Sequence, residues 1–281
     1  MPDTRPSRNG SLHQRIARHV RTQIEAGVLR DREALPSTRE LANQFDVSVF
    51  TANEAMQILV DEGLVVTKAR SGRVVNNPSG LSSASARIAT PHLIIVGGYA
   101  GCGKTEFGRI LARATGWAIL DKDTATRPVV EMALQVLDRP THDRESPTYV
   151  ERIRPREYEG LMAAATENIE CGVSVITTAP FLGELPDPVW MARTRAQFER
   201  HGATVRAVWI NCDLESMHTY LRQRGAARDS IKLDHWQTYS ESLNLDLRPA
   251  EPHSVIDNSA SAEPLQNQVA LFVSALAEAK L

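Results

Sequence analysis

Between residues 98 and 105 the chain reads Gly98-Tyr99-Ala100-Gly101-Cys102-Gly103-Lys104-Thr105, the spacing G-x-x-x-x-G-K-[ST]. Residues of these types in this order suit a ligand rich in oxyanions. Glycines allow successive backbone N–H groups to close around phosphate, and a helix starting just after them adds the positive end of its dipole. Lys104 would bridge the β- and γ-phosphates of a nucleoside triphosphate, and the Thr105 hydroxyl would ligate Mg²⁺. The motif requires a strand before it and a helix after it. Both are predicted, from the apolar run His92–Val96 and the helical run Thr105–Ala114. ATP (or GTP) with Mg²⁺ is therefore the expected cofactor, held by Gly98, Gly101, Cys102, Gly103, Lys104 and Thr105, with Cys102 a small filler inside the loop.

Other residues could do chemistry in the same region. Asp121-Lys122-Asp123 follows a predicted strand, Trp117–Leu120. Two carboxylates at this spacing can face a metal and a hydroxyl, or the first can simply cap a helix at Thr124. Arg222-Gln223-Arg224, Arg228-Asp229 and Lys232 form a basic run that could neutralise a transferring phosphate or could be a solvated helix face. Single histidines such as His142 and His253 show no ligand spacing. Cys102, Cys171 and Cys212 lie far apart and read as reduced thiols.

The elements that must position these residues fall into two blocks. At 281 residues the chain can form two domains, each with its own core. With 42% hydrophobic and 23% charged residues and a mean hydropathy of −0.28, the composition is that of a globular protein. No apolar run is long enough for a membrane span, and the first ten residues have no apolar export core, so a cytoplasmic location is expected. The net charge of −2 conceals a mild asymmetry: residues 1–80 hold 11 Lys/Arg against 9 Asp/Glu. In residues 1–78 the pattern is three helices and a hairpin. Ile16, Val20 and Ile24 line the first helix, which Gly27 can end. Ser37 opens the second, and Ser48 caps a third that carries Ala52, Ala55, Met56 and Leu59 inward. Leu64–Val66 and Val74–Val75 would pair through Ser71-Gly72. Residues 79–91 are small and polar and read as a flexible linker. From 92 to 281, apolar strands at His92–Val96, Trp117–Leu120, Val173–Thr177, Val205–Ile210 and Val255–Asp257 alternate with helices, the pattern of a parallel sheet covered on both faces.

The first block resembles the winged helix of the GntR family of bacterial regulators. The resemblance runs from residue 11 to about 76 and rests on Leu35-Pro36-Ser37, Arg39, Leu41-Ala42, Val47-Ser48, Thr51, Ala55, Leu59 and Glu62-Gly63-Leu64. It implies a helix-turn-helix whose recognition helix enters the major groove, followed by a wing. By that resemblance Arg39, Ser48, Thr51, Lys68, Arg70 and Arg73 become contacts to operator DNA. Val49 and Asn53 stand where relatives often carry arginine. Val49 could pack on a thymine methyl and Asn53 could read adenine. A homodimer is also implied, and a winged helix turned to protein contacts is the alternative.

The second block resembles small P-loop kinases of the shikimate kinase, chloramphenicol phosphotransferase and zeta-toxin type. This implies a doubly wound α/β domain of strand order 2-3-1-4-5. By resemblance Asp123 would be the general base, Asp121 would hold the metal or its water, and Arg222, Arg224 and Arg228 would belong to a lid. Arg144, Arg154 and Tyr158 would face a small-molecule acceptor, and Asn258 would lie beside the base of the nucleotide. One departure weakens the case for catalysis: Thr178 stands where many relatives carry a Walker-B aspartate, so Mg²⁺ affinity should fall. Two functions follow as expectations. One is a DNA-binding regulator whose operator affinity responds to nucleotide. The other is an active small-molecule kinase, with a toxin-like kinase that regulates its own operon as a further variant.

Overall fold

The computed structural model describes residues 11–26, 28–29, 31–68, 72–76 and 90–278. Gly27 as a helix stop, Arg70 and Ser71 in the hairpin turn, and residues 79–89 of the expected linker lie outside these described residues.

The N-terminal block folds as α1 (Leu12–Glu25), α2 (Thr38–Phe45), α3 (Val49–Asp61), β1 (Val65–Lys68) and β2 (Gly72–Val75). Local chemistry sets the turn between α2 and α3. Ser37 opens α2 through a reciprocal box: Glu40 N–H donates to Ser37 Oγ at 3.3 Å, and Ser37 N–H donates to Glu40 Oε2 at 2.7 Å. Asp46 ends α2 in the left-handed region, at φ 52°. Two residues later Ser48 Oγ accepts the Thr51 N–H at 3.0 Å and starts α3. The apolar faces of the three helices close on one core of Ile16, Val20, Ile24, Leu41, Met56 and Leu59, with Val65 and Val75 from the hairpin. Truncating Met56 or Leu59, both fully buried, would cost ~2–5 kcal/mol. The hairpin is antiparallel, in a register that runs from Val65 opposite Val75 to Lys68 opposite Gly72.

The second block carries β3 (His92–Gly97), α4 (Lys104–Thr115), β4 (Ala118–Asp121), α5 (Lys122–Val136), α6 (Arg154–Glu170) and β5 (Val175–Thr178). It continues through α7 (Pro188–Glu199), β6 (Thr204–Asn211), α8 (Leu214–Arg224), the short α9 (Ser230–Asp234) and α10 (Trp236–Ser242), β7 (His253–Asp257) and α11 (Leu265–Glu278). All neighbouring strands are parallel, in the order β4-β5-β3-β6-β7. Counted within the domain this is 2-3-1-4-5, as expected. Leu93-Ile94-Ile95-Val96 is fully buried because helices cover both faces of this central strand. Trp117 and Val173 stay outside their predicted strands; Val173 follows the left-handed Gly172, at φ 77°, and is 39% exposed. The chain crosses from one side of β3 to the other, which opens a crevice at the carboxyl ends of the strands. Among the described residues no helix is long and apolar enough to cross a membrane.

Helix α1 belongs to both blocks. One face fills the winged-helix core. The other presents Arg15, Arg18, His19, Thr22 and Ala26 at helical spacing. Ala26 is buried in the same apolar cluster as Phe107, Phe272 and Leu276 of the α/β domain. Arg18 donates to the carbonyls of Ala262 and Glu263, the latter at 2.7 Å, and Arg15 pairs with Glu215. The blocks therefore share a packed junction, which the expected flexible tether did not anticipate.

Candidate functional site

The loop 98–105 joins β3 to α4 as its motif requires. Gly98 has φ 142°, and a Cβ there would lie 2.6 Å from the Ile210 carbonyl oxygen of β6. Only glycine fits so close an approach. Gly103, at φ 90°, caps the start of α4, and a Cβ would collide with the Asn258 amide. The cradle is thus shaped for phosphate, and its cation is in place. Lys104 Nζ donates to the Tyr99 carbonyl at 2.7 Å, within the loop itself, and burial pulls its pKa below the ordinary lysine range. A phosphate oxygen would replace that carbonyl as a stronger acceptor.

Behind the loop, β4 and β5 bring Asp121 opposite Thr178. Asp121 divides its two oxygens between two tasks. Oδ1 accepts the Thr124 N–H at 2.9 Å and caps α5. Oδ2 receives the hydroxyls of Thr105, at 2.8 Å, and Thr178, at 2.7 Å. So the capping reading of this aspartate holds, and its second oxygen brings negative charge beside Thr178 from the neighbouring strand. Thr105 and Asp121 are the residues that fit a Mg²⁺ ion beside the phosphates.

Asp123 faces cations instead. Lys122 Nζ lies 2.8 Å from it and Arg228 Nη2 lies 3.0 Å away. Burial opposes its ionisation, but Lys122 and Arg228 outweigh that and hold its pKa down at about 2. Lys122 is itself buried; burial lowers its pKa, and Asp123 with Glu157 more than restores it, so the net shift is upward. Glu157 completes the group, accepting from Lys122 at 2.8 Å, Thr126 at 2.6 Å and the Tyr149 hydroxyl at 2.6 Å.

A cavity of about 1020 Å³ runs along these residues, at the upper end of small-molecule sites. Its lining includes Gly101, Gly103, Lys104, Thr105, Asp121, Asp123, Arg224, Arg228 and Asn258. Arg144, Arg154 and Tyr158 line it beyond the carboxylates. None of these arginines waits unengaged. Arg224 is bound to Asp229, with Nε at 2.8 Å, and Arg154 Nη2 holds both oxygens of Glu184 at 2.8 and 2.9 Å. Arg154 also stacks over the Tyr158 ring, and Arg144 over Tyr149. Burial, then Glu184, pushes the Tyr158 hydroxyl up to about 12.

One expectation needs correction. Arg222 is exposed and does not line the cavity, because helical spacing turns Gln223 and Arg224 there instead. Gly98 and Cys102 also lie off the lining: Gly98 packs against β6, and Cys102 is buried beneath the loop, where its carbonyl accepts the Asn258 amide at 3.1 Å. Sequence reasoning missed Glu157 and Glu184, whose spacing carries no motif. It missed His19, Thr22 and Gln23 as well, which reach the cavity from α1.

On the winged helix, Arg39, Ser48, Val49, Asn53 and Lys68 are exposed and Thr51 is half-buried. Phe50, unremarked in the sequence, is 71% exposed at the start of α3. Arg73 differs from a free phosphate contact: it donates to Thr38 Oγ1 at 2.9 Å and to Asn53 Oδ1 at 2.7 Å. It braces the hairpin against α2 and α3, and an adenine read by Asn53 would have to share that oxygen.

Residues 93–245, more than half of the chain, match the family model described as AAA domain. The chain belongs to the AAA domain family. Ahead of its AAA domain, residues 12–75 match the model for bacterial regulatory proteins of the gntR family. The histidine utilization repressor of Klebsiella aerogenes is 35% identical over 72 residues, 26% of this chain and 30% of that protein. The HTH-type transcriptional repressor NagR of Bacillus subtilis (strain 168) is 37% identical over 67 residues, 24% of this chain and 28% of that one. This chain spans less than a third of the length of either relative. For the AAA domain, a solved structure of a proposed kinase from Chloroflexus aurantiacus superposes with a TM-score of 0.50 at 19% identity. That match covers 68% of this chain and 98% of the other, and it supports the kinase-like fold.

Proposed function

We propose that the chain is a GntR-type transcription regulator that binds operator DNA through α2, α3 and the hairpin. ATP (or GTP) with Mg²⁺ at the AAA-domain cleft sets its operator affinity. One observation carries the reading: α1 fills the winged-helix core with one face and is bolted to the AAA domain with the other. A ligand in the cleft therefore acts on a domain that is mechanically continuous with the DNA-binding helices. Asp123 is held between Lys122 and Arg228, and Lys122 would keep it paired when Arg228 turns to a ligand, which supports a ligand role over a catalytic one. Lys104, Thr105 and Asp121 would hold the phosphates and the metal, and Arg228 and Arg224 would exchange their aspartates for phosphate oxygens.

The cavity beyond the phosphates favours a second reading. Arg144, Arg154 and Tyr158 leave room for an anionic or hydroxylated acceptor, as a small-molecule kinase needs. Titrating operator DNA at fixed salt, with and without ATP·Mg²⁺, separates the two. The regulator reading expects a shift, and linkage requires DNA to change nucleotide affinity by the same factor, typically about 5–150-fold. Superimposable DNA curves, with turnover above ~1 s⁻¹ that disappears in Asp123→Asn, would establish the kinase instead.

A further inference from the structure

We propose that the nucleobase end of the cleft is shared between the domains, with α1 of the winged helix forming one wall of the base pocket through His19, Thr22 and Gln23. This rests on the nucleotide-binding reading above and adds where the base goes and which domain feels it.

The polarity of the cleft gives the direction. Phosphates are fixed at loop 98–105. The γ-phosphate end must face Asp121, Asp123 and Arg228, where the carboxylates, the lid cation and the acceptor chamber lie. The nucleoside must then leave on the other side. There the cavity wall is Tyr220 and Gln223 of α8, Asn258 after β7, and His19, Thr22 and Gln23 of α1. α1 is clamped to both neighbouring elements of that wall. Arg15 pairs with Glu215 at the start of α8, Arg18 holds the carbonyls of Ala262 and Glu263 after β7, and the His19 ring stacks on Tyr220 at 6.0 Å between centroids.

The wall has the chemistry of a base site. Burial holds the His19 pKa down at about 4, so at neutral pH the ring is an uncharged aromatic surface. His19 Nε2 and Gln223 Oε1 are both shielded from solvent and have no hydrogen-bond partner among the described residues. A purine has an aromatic face for the ring, and edge donors and acceptors for a carboxamide pair such as Gln23 and Gln223. His19 also meets Phe45 in an edge-to-face arrangement, with centroids 5.5 Å apart at an interplanar angle of 74°. Phe45 is the last residue of α2, directly before the turn into the recognition helix. A base against α1 is therefore one aromatic contact from the helix-turn-helix.

The test compares ATP with inorganic tripolyphosphate, both with Mg²⁺, by calorimetry on the full chain. Tripolyphosphate engages loop 98–105 alone. Gln23→Ala should weaken ATP about tenfold, the loss of one buried polar contact, and leave tripolyphosphate unchanged. His19→Phe, which keeps the aromatic packing, should retain ATP within about threefold, whereas His19→Ala should lose it with Gln23→Ala. Equal ATP affinity in wild type, Gln23→Ala and His19→Ala, with tripolyphosphate still bound, would overturn the shared pocket alone. Tighter ATP binding in these variants would also overturn it, by showing that α1 competes with the base. Wild type that binds neither ligand would overturn the nucleotide reading itself, and the pocket with it.

Discussion

Glu25 provides a quantitative test of how tightly α1 is gripped. Its carboxylate sits one residue before Ala26, at the junction, with both oxygens shielded from solvent and without a hydrogen-bond partner among the described residues. Burial raises its pKa from 4.5 to about 7, and Arg21 and Arg18 only partly oppose this. Arg21 is already committed to Glu62, with Nε 2.9 Å from Oε2. The sign follows from proton binding. Below pH 4.5 the group is neutral in both states and stability is complete. Between 4.5 and about 7 the unfolded chain has released its proton while the folded chain keeps it, so stability falls as pH rises; above about 7 the loss is complete. At ~1.4 kcal/mol per pH unit, the full loss is about 3 kcal/mol. Glu25→Gln keeps the shape and removes the ionisation. Urea unfolding followed by circular dichroism compares the two proteins at pH 5, 6, 7 and 8; His19, whose pKa burial holds at about 4, gains stability as pH rises toward 6.5 and opposes the Glu25 slope in both. Wild type should lose about 2.5 kcal/mol relative to Glu25→Gln across that range, the remainder having been lost below pH 5. Absolute gains at pH 8 will be smaller, because the glutamine amide inherits the same lack of partners. Parallel profiles for the two proteins would refute the burial argument.

Two further outcomes follow from the site and the DNA face. Lys104→Ala should abolish heat on mixing with ATP·Mg²⁺ while leaving the circular dichroism spectrum unchanged, because Nζ donates to the Tyr99 carbonyl of its own loop; retained binding would place the phosphates elsewhere. Arg39→Ala should weaken operator binding by ~1–3 kcal/mol if the exposed guanidinium reaches a base edge, measured by fluorescence anisotropy against selected and scrambled DNA. Equal loss on both DNAs would assign Arg39 to phosphate instead.

The architecture was legible because its instructions are local. Strand and helix periods, the Ser37 and Ser48 caps and the glycine-lysine loop each act within a few residues, and the parallel order followed from the resemblance those motifs carried. The pairings that decide the site are not local. Asp121 was visible as a cap or as a metal ligand, but only the β4–β5 register shows that while one oxygen caps α5 the other receives the Thr178 hydroxyl. Nothing in the spacing joins Lys122 to Glu157, or Arg154 to Glu184, across 35 and 30 residues. The second face of α1 was invisible for a different reason. Arg15, Arg18, His19 and Thr22 have the composition of a solvated stripe, and a polar face bound to carbonyls looks the same in sequence as one bound to water.

That second face also bears on how a ligand could be felt at the DNA. A ligand shifts an equilibrium only through contacts that differ between two states. In the structure the cations of the cleft are bound internally: Lys104 to Tyr99, Arg224 to Asp229, Arg228 to Asp123. Phosphate would compete with those partners for the same cations, each of which has further N–H donors to offer. Helix α8 lies on both sides of this exchange. Its last residue is Arg224, in the cleft, while Glu215 and Tyr220 on the same helix carry the contacts to Arg15 and His19. Eleven residues span about 16 Å at 1.5 Å each, and a helix of that length moves as a unit. Under the proposed regulation, a shift of α8 on recruiting Arg224 would reach α1 through these contacts, and α1 packs in the core it shares with α3. Such a coupling would not need the expected dimer geometry, because a single chain contains every contact in it.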